Sequence, residues 1–155
     1  MKNTIQFAGF FLLILFSACN EQEEELFSPK LIGIWEIADL DSSLVLESVK
    51  TLIFKLDGSY SNELTYRRPG EVYKGYHLIT NGNFISSGDQ ISLMPREIFF
   101  ARMLNTGPPY GSKKEELVKS DFSGTQVDKI QFRISEDSQK LLLPYGSDML
   151  YTKVD

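Results

Sequence analysis

Few residues in this chain of 155 suit nucleophilic or acid–base chemistry, since it has one histidine, His77, and one cysteine, Cys19. A Ser-His-Asp triad could be built around His77 alone. His77 lies in the run YKGYHLIT (residues 73–80), which reads as a β-strand, and the nucleophile-elbow pattern G-x-S-x-G does not occur. We interpret His77 as a strand residue with satisfied hydrogen bonds, and we predict no catalytic residues and no enzymatic activity. An enzyme built on His77 is the most distant alternative.

The composition also argues against metal and cofactor sites. A zinc site needs three or four His or Cys ligands, which one of each cannot supply. The turn Asp57-Gly58-Ser59 departs at once from the calcium-loop pattern. Glu115 and Glu116 are adjacent, so on a helix they would point about 100° apart and could not act as a catalytic pair. Glycine-rich phosphate loops are absent, and we predict no metal and no cofactor.

The surroundings of Cys19 are more informative. Ten apolar residues, FAGFFLLILF (7–16), precede it and an acidic run, NEQEEE (20–25), follows it. A membrane-spanning helix needs roughly 20 apolar residues, so the shorter run is typical of a cleaved signal peptide. The sequence FSAC (16–19) resembles the lipobox of bacterial lipoproteins. This resemblance implies that residues 1–18 are a lipoprotein signal peptide and that Cys19 becomes the acylated amino terminus.

An acylated Cys19 would anchor the protein without a spanning helix, because each buried CH₂ contributes roughly 0.8 kcal/mol. The resemblance implies a position in the outer membrane of a Gram-negative bacterium, facing the periplasm or the cell surface. Residues 19–28 then form a lipidated acidic tether that stays solvated. Two alternatives remain open: the acidic run is an export signal for the outer surface, or the chain is an ordinary secreted protein with a stray cysteine.

The charge balance argues against nucleic acid as a partner. The chain has 16 basic and 21 acidic residues, a net charge of −5, and its longest basic clusters are the pairs Arg67-Arg68 and Lys113-Lys114. Phosphate backbones are bound by a basic stripe, which this chain lacks. Residues 29–155 are long enough for one domain with a single core.

Strand-length runs separated by turn residues fill this domain. In KIQFRIS (129–135), Ile130, Phe132 and Ile134 alternate with polar residues, as in a half-buried strand. Turn signals include Asp57-Gly58 and Asn81-Gly82. Sustained helical periodicity is missing outside the signal peptide. We predict an all-β domain of antiparallel strands, closed as a barrel or packed as a sandwich, because an open sheet would leave unprotected edges.

The run LIGIW (31–35) favours the barrel. Its G-x-W motif, Gly33 and Trp35, resembles the signature of lipocalin and lipocalin-like proteins. Three further segments resemble hairpins and the last strand of such domains in bacterial lipoproteins: TLIFKLDGSY (51–60), GNFISSGDQISL (82–93) and LYTKV (150–154). The resemblance implies an antiparallel lipocalin-like β-barrel of about eight strands, closed by pairing of the first and last. In it Trp35 plugs the closed end, Gly33 makes room for it, and Arg133 is the best candidate to stack on the ring. An open sandwich is the alternative.

Aromatic residues on the strand-like runs either fill the core or line a pocket. The candidates for ligand binding are Phe54, Tyr66, Tyr76, Phe84 and Phe100. The lipocalin-like resemblance implies noncatalytic capture of a small, partly apolar molecule.

The segment 105–128 has no clear strand and carries Pro108-Pro109-Tyr110, whose stiff backbone would present the tyrosine ring. It could cover the barrel mouth, dock a neighbouring envelope protein, or be mobile without a function. The alternative function is therefore a protein-interaction module of an envelope complex.

Overall fold

Ten β-strands form in the part of the chain that the structure describes, which confirms the predicted all-β class. The computed structural model describes residues 27–41, 45–102, 110–121, 127–145 and 147–154. The strands are β1 (Gly33–Asp41), β2 (Leu46–Phe54), β3 (Ser59–Arg67), β4 (Gly75–Ser87), β5 (Gln90–Phe100), β6 (Val118–Lys119), β7 (Asp128–Gln131), β8 (Arg133–Ile134), β9 (Lys140–Tyr145) and β10 (Ser147–Val154). Single 3₁₀ turns lie at Pro29–Leu31 and Lys114–Glu116.

Several predicted features at the amino terminus lie outside the described residues. These are the signal peptide at 1–18, the acylated Cys19 and the tether as far as residue 26. Among the residues that are described, no helix is long and apolar enough to cross a membrane.

All ten strands belong to one antiparallel sheet in the order β6-β5-β4-β3-β2-β1-β10-β9-β8, with β7 paired to β5. The first and last strands pair as expected, Trp35 lying opposite Lys153. The prediction of a closed barrel is wrong, because in the described part of the chain no ladder joins the two ends of this order.

The run KIQFRIS contributes a short strand to each edge of the sheet. Its predicted alternation is confirmed, since Ile130 and Phe132 are buried. It is divided at Phe132, whose N–H donates to the Asp89 carbonyl at 2.7 Å. The first part, β7, pairs with β5, and the second part, β8, pairs with β9. The segment thus passes from one edge of the curved sheet to the other, and neither part pairs with both edges.

The two predicted two-residue turns have different outcomes. Asp57-Gly58 does join β2 to β3, and the Asp57 carboxylate accepts hydrogen bonds from the Ser59 N–H and hydroxyl at 2.9 and 2.6 Å. The turn prediction at Asn81-Gly82 is wrong, because both residues lie within β4. A Cβ on Gly82 would come within 2.2 Å of the Met94 carbonyl oxygen. This glycine therefore permits a close approach of two strands at a bulge.

Apolar side chains on one face of the curved sheet, here called the inner face, form the main core. Its buried members are Leu31, Trp35, Leu52, Phe54, Tyr60, Phe84, Ile91, Leu93, Ile130, Phe132, Leu141, Leu143 and Tyr151. Trp35 is fully buried and its indole N–H donates to the Leu31 carbonyl at 2.7 Å. The core is therefore fastened to the residues just before β1.

The cation over Trp35 is Lys153, whose Nζ lies 5.2 Å from the ring centroid. Arg133, which the sequence suggested for this contact, is exposed on β8. A Cβ on Gly33 would lie 2.8 Å from Lys153 Cε, and Gly33 has φ of +135°. Gly33 thus makes room for the lysine that covers the tryptophan.

Candidate functional site

A cavity of about 250 Å³ opens on the inner face. Side chains from six strands, β2, β3, β5, β7, β9 and β10, line it: Lys50, Leu52, Asn62, Leu93, Ile130, Leu143, Met149 and Tyr151. The buried members of this lining also belong to the core. The cavity is therefore a gap in the core on the concave side of the sheet.

Strand alternation and register bring these side chains together. Leu52 lies opposite Trp35 on β1 and opposite Asn62 on β3, so the three share the inner face. Lys50 is two residues before Leu52, and successive side chains of a strand point to opposite faces, so Lys50 faces inward too. On β10 the same alternation places Met149 and Tyr151 inward with Lys153.

Most of the cavity wall is apolar. Leu52, Leu93, Ile130 and Leu143 are buried. They belong to the same core cluster as Trp35 and other large side chains. This wall can exclude water from the apolar part of a ligand.

The polar groups are concentrated at Lys50, Tyr151 and Met149. The Lys50 ammonium lies 3.8 Å from the Met149 sulfur, and the Tyr151 hydroxyl lies 3.7 Å from the same sulfur. A thioether is only a weak acceptor, so both donors are poorly satisfied by it. Asn62 adds a side-chain amide to the same lining.

Tyr151 is a neutral donor at ordinary pH. Burial, and secondarily the negative charge of Asp39, raises the pKa of Tyr151 to about 12. Each effect disfavours the phenolate, so the hydroxyl keeps its proton and can donate.

On the opposite face, here called the outer face, lysines meet carboxylates. Lys74 Nζ lies 2.6 Å from Glu36 Oε1, and Lys114 Nζ lies 2.7 Å from Glu63 Oε1. Thr51 lies opposite both glutamates in register, and its hydroxyl donates to Glu36 at 3.1 Å.

Burial by itself raises the pKa of Glu36. The hydrogen bond and charge of Lys74, helped by the Thr51 hydroxyl, outweigh that effect and hold the pKa below its ordinary 4.5. The glutamate is thus charged and paired at neutral pH.

None of the five aromatic residues proposed from the sequence lines this cavity. Phe54 and Phe84 pack edge to face in the core, with ring centroids 4.9 Å apart. The Tyr66 ring contacts His77 at 5.8 Å. Tyr76 lies under the Lys114 ammonium, and Phe100 is 40% exposed. The structure brings only Phe54 and Phe84 into contact among these candidates.

Sequence reasoning missed Lys50, Met149 and Tyr151. A signal for Lys50 was present, because Leu52 and Phe54 lie two positions apart, as on one face of a strand, and the same alternation extends back to residue 50. A lysine at an inward position of a half-buried strand departs from the usual pattern of polar residues facing out. The involvement of Met149 and Tyr151 had no comparable local signal.

His77 lies in β4, as the strand interpretation required. Its Nδ1 is buried and has no hydrogen-bond partner, so the expectation of a satisfied histidine is wrong at that atom. In the described ranges no group of three or more His, Cys, Asp or Glu side chains could hold a metal ion.

The described part of segment 105–128 is fastened to the sheet. Ser112 pairs with Tyr76 through two backbone hydrogen bonds of 2.8 and 3.0 Å, and Tyr110 is buried. Beyond it, β6 pairs with the end of β5. The described residues of this segment do not line the cavity, while Pro108 and Pro109 lie outside the description.

Comparison of the chain with protein-family models, with curated proteins and with solved structures finds no match.

Proposed function

We propose that this protein is a noncatalytic binding protein of the bacterial cell envelope that holds a small, partly apolar molecule in the cavity of its inner face. The observation that carries this proposal is the cavity itself, which combines an apolar wall with poorly satisfied donors at one place. Ligand sites commonly have this composition, with a few polar groups that fix orientation.

The size of the cavity restricts the ligand. Its 250 Å³ lies just under the roughly 300 Å³ at which pockets for drug-sized molecules begin. With about 30 Å³ for each water-sized group, it has room for roughly eight non-hydrogen atoms. The ligand is therefore a small molecule.

The proposal includes a lipocalin-like architecture and a lipid anchor. The G-x-W strand, the fully buried Trp35 and the pairing of β1 with β10 support the first. The lipobox-like FSAC sequence supports acylation of Cys19 and attachment to the outer membrane of a Gram-negative cell. Replacing Cys19 with Ser is expected to release the protein into the soluble fraction. A wild-type protein without an acyl label would contradict the anchor.

Binding can be tested by native mass spectrometry of the full chain extracted from its host. We expect a reproducible bound small molecule that is lost in Leu93→Trp, which fills the cavity. The matched control is Ile85→Trp, because Ile85 is exposed on β4, and this variant keeps the ligand. The absence of bound mass in the wild type, or its retention in a folded Leu93→Trp protein, would contradict the proposal.

A further inference from the structure

The charge environment of Lys50 differs from that of the three lysines that form salt bridges in the described part of the chain. Lys74, Lys114 and Lys119 each lie within 2.7 Å of a glutamate oxygen. In the described part of the chain, no salt bridge involves Lys50, whose close contact is the Met149 sulfur. Lys50 is half-buried beside the apolar wall, where an ammonium without a counter-ion is costly.

The two donors at the cavity are placed to share one acceptor. Lys50 Nζ and the Tyr151 hydroxyl both reach the Met149 sulfur, at 3.8 and 3.7 Å. One group can therefore contact both of them. A carboxylate has two oxygens that accept strong hydrogen bonds from an ammonium and a hydroxyl, whereas a thioether accepts weakly.

We propose that the ligand is a monocarboxylate with a short aliphatic chain, and that Lys50 is its counter-ion. This inference rests on the proposed function and names the chemical class of the ligand. The carboxylate replaces the Met149 sulfur as acceptor for Lys50 and Tyr151. The aliphatic chain lies against the apolar residues Leu52, Leu93, Ile130 and Leu143.

The geometry also favours a single negative charge of limited size. Among the described residues that line the cavity, Lys50 is the one cationic side chain, so a phosphate dianion would bring one charge without a partner. Room for roughly eight non-hydrogen atoms corresponds to a monocarboxylate of about six carbons, the carboxylate carbon included.

The test compares hexanoate with hexanamide, which has the same shape and no charge, by isothermal titration calorimetry on the full chain. We expect hexanoate to bind about tenfold or more tightly than hexanamide, because its carboxylate can accept a charge-assisted hydrogen bond from Lys50. In Lys50→Met the affinity for hexanoate falls to that for hexanamide, while hexanamide binding is unchanged. Lys55→Met is the matched control, because Lys55 is an exposed lysine just beyond the same strand, and it preserves the preference.

The outcomes separate this inference from the function on which it rests. If hexanoate and hexanamide bind wild-type protein equally well, the carboxylate assignment is overturned and the small-molecule site survives. If neither ligand binds, both proposals fail. A preference for hexanoate that persists in Lys50→Met would assign the charge contact to another residue and overturn the role of Lys50. Should Lys50→Met fail to fold, the wild-type comparison still decides the ligand class.

Discussion

The lysines on the two faces of the curved sheet differ in their partners. On the outer face, Lys74 and Lys114 each place an ammonium on a glutamate of the sheet, at 2.6 and 2.7 Å. On the inner face, Lys50 has a thioether as its close polar contact. The outer-face lysines therefore have carboxylate partners, whereas Lys50 on the inner face has none among the described residues.

This difference separates a structural role from a binding role. Lys74 lies between β3 and β4, and Lys114 lies between β5 and β6. Their ion pairs therefore attach these two connecting segments to the outer face. Lys50 faces a cavity, and in the described part of the chain it forms no ion pair. A charge that lacks a partner within the fold is available to a ligand, at the cost of some stability in its absence.

The largest expected effect is a loss of stability when the buried Trp35 side chain is removed from the core of the inner face. Trp35→Ala is expected to lower the free energy of unfolding by about 3–5 kcal/mol, because it removes a fully buried side chain. Chemical denaturation measures this, with Trp35→Phe as the milder control. A loss under about 1 kcal/mol would show that apolar packing does not organise this face.

A smaller loss is expected when a completed ion pair of the outer face is broken. Glu36→Gln keeps the side-chain size but removes the charge that Lys74 and Thr51 contact. We expect a loss of about 1–2 kcal/mol in the free energy of unfolding, because the pair is only partly exposed. An unchanged midpoint of denaturation would mean that the pair contributes nothing to the fold.

The Glu36 carboxylate should also make the free energy of unfolding depend on pH. The folded pKa of Glu36 lies below its ordinary value of 4.5, so its contribution is fully present above that pH and is lost as the pH falls through the folded pKa. The stability difference between wild type and Glu36→Gln should therefore shrink on acidification below 4.5. A difference that stays constant into strong acid would contradict the depressed pKa.

The smallest effect is also the sharpest test of the comparison. Replacing a lysine should lower the free energy of unfolding on the outer face and leave it unchanged or raise it on the inner face. Lys74→Met should lower the free energy of unfolding by about 1 kcal/mol, because it leaves Glu36 without its cation. Lys50→Met should leave stability unchanged or raise it by up to about 1 kcal/mol, because it removes an unpaired charge beside apolar side chains. Equal losses in the two variants, measured without ligand, would abolish the distinction between the faces.

Local rules account for much of the fold. The alternation in KIQFRIS identified Ile130 and Phe132 as inward residues, and the Asp57-Gly58 pair identified a real turn. Both features depend on neighbouring residues in the chain, through side-chain period and backbone dihedral angles. The sequence alone therefore determined an all-β domain and which residues of several strands share a face.

The same rules failed where a distant strand decided the outcome. Asn81-Gly82 has the composition of a turn, but the Met94 carbonyl lies where a Cβ on Gly82 would be, and the pair belongs to a strand. KIQFRIS reads as one strand, but its first part pairs with β5 and its second part pairs with β9.

The candidate site was decided by tertiary structure alone. The sequence suggested aromatic residues because such residues are common in ligand pockets. A pocket is a volume left between packed elements, however, and residue type does not reveal where that volume lies. Lys50 and Met149 are 99 positions apart in sequence, so their contact depends on the pairing of β1 with both β2 and β10. The contact of Tyr151 with the same sulfur is local, because both residues lie on β10. Local alternation can assign Lys50 to one face of β2, but the Met149 sulfur and the cavity beside it come from strands that no local pattern connects to β2.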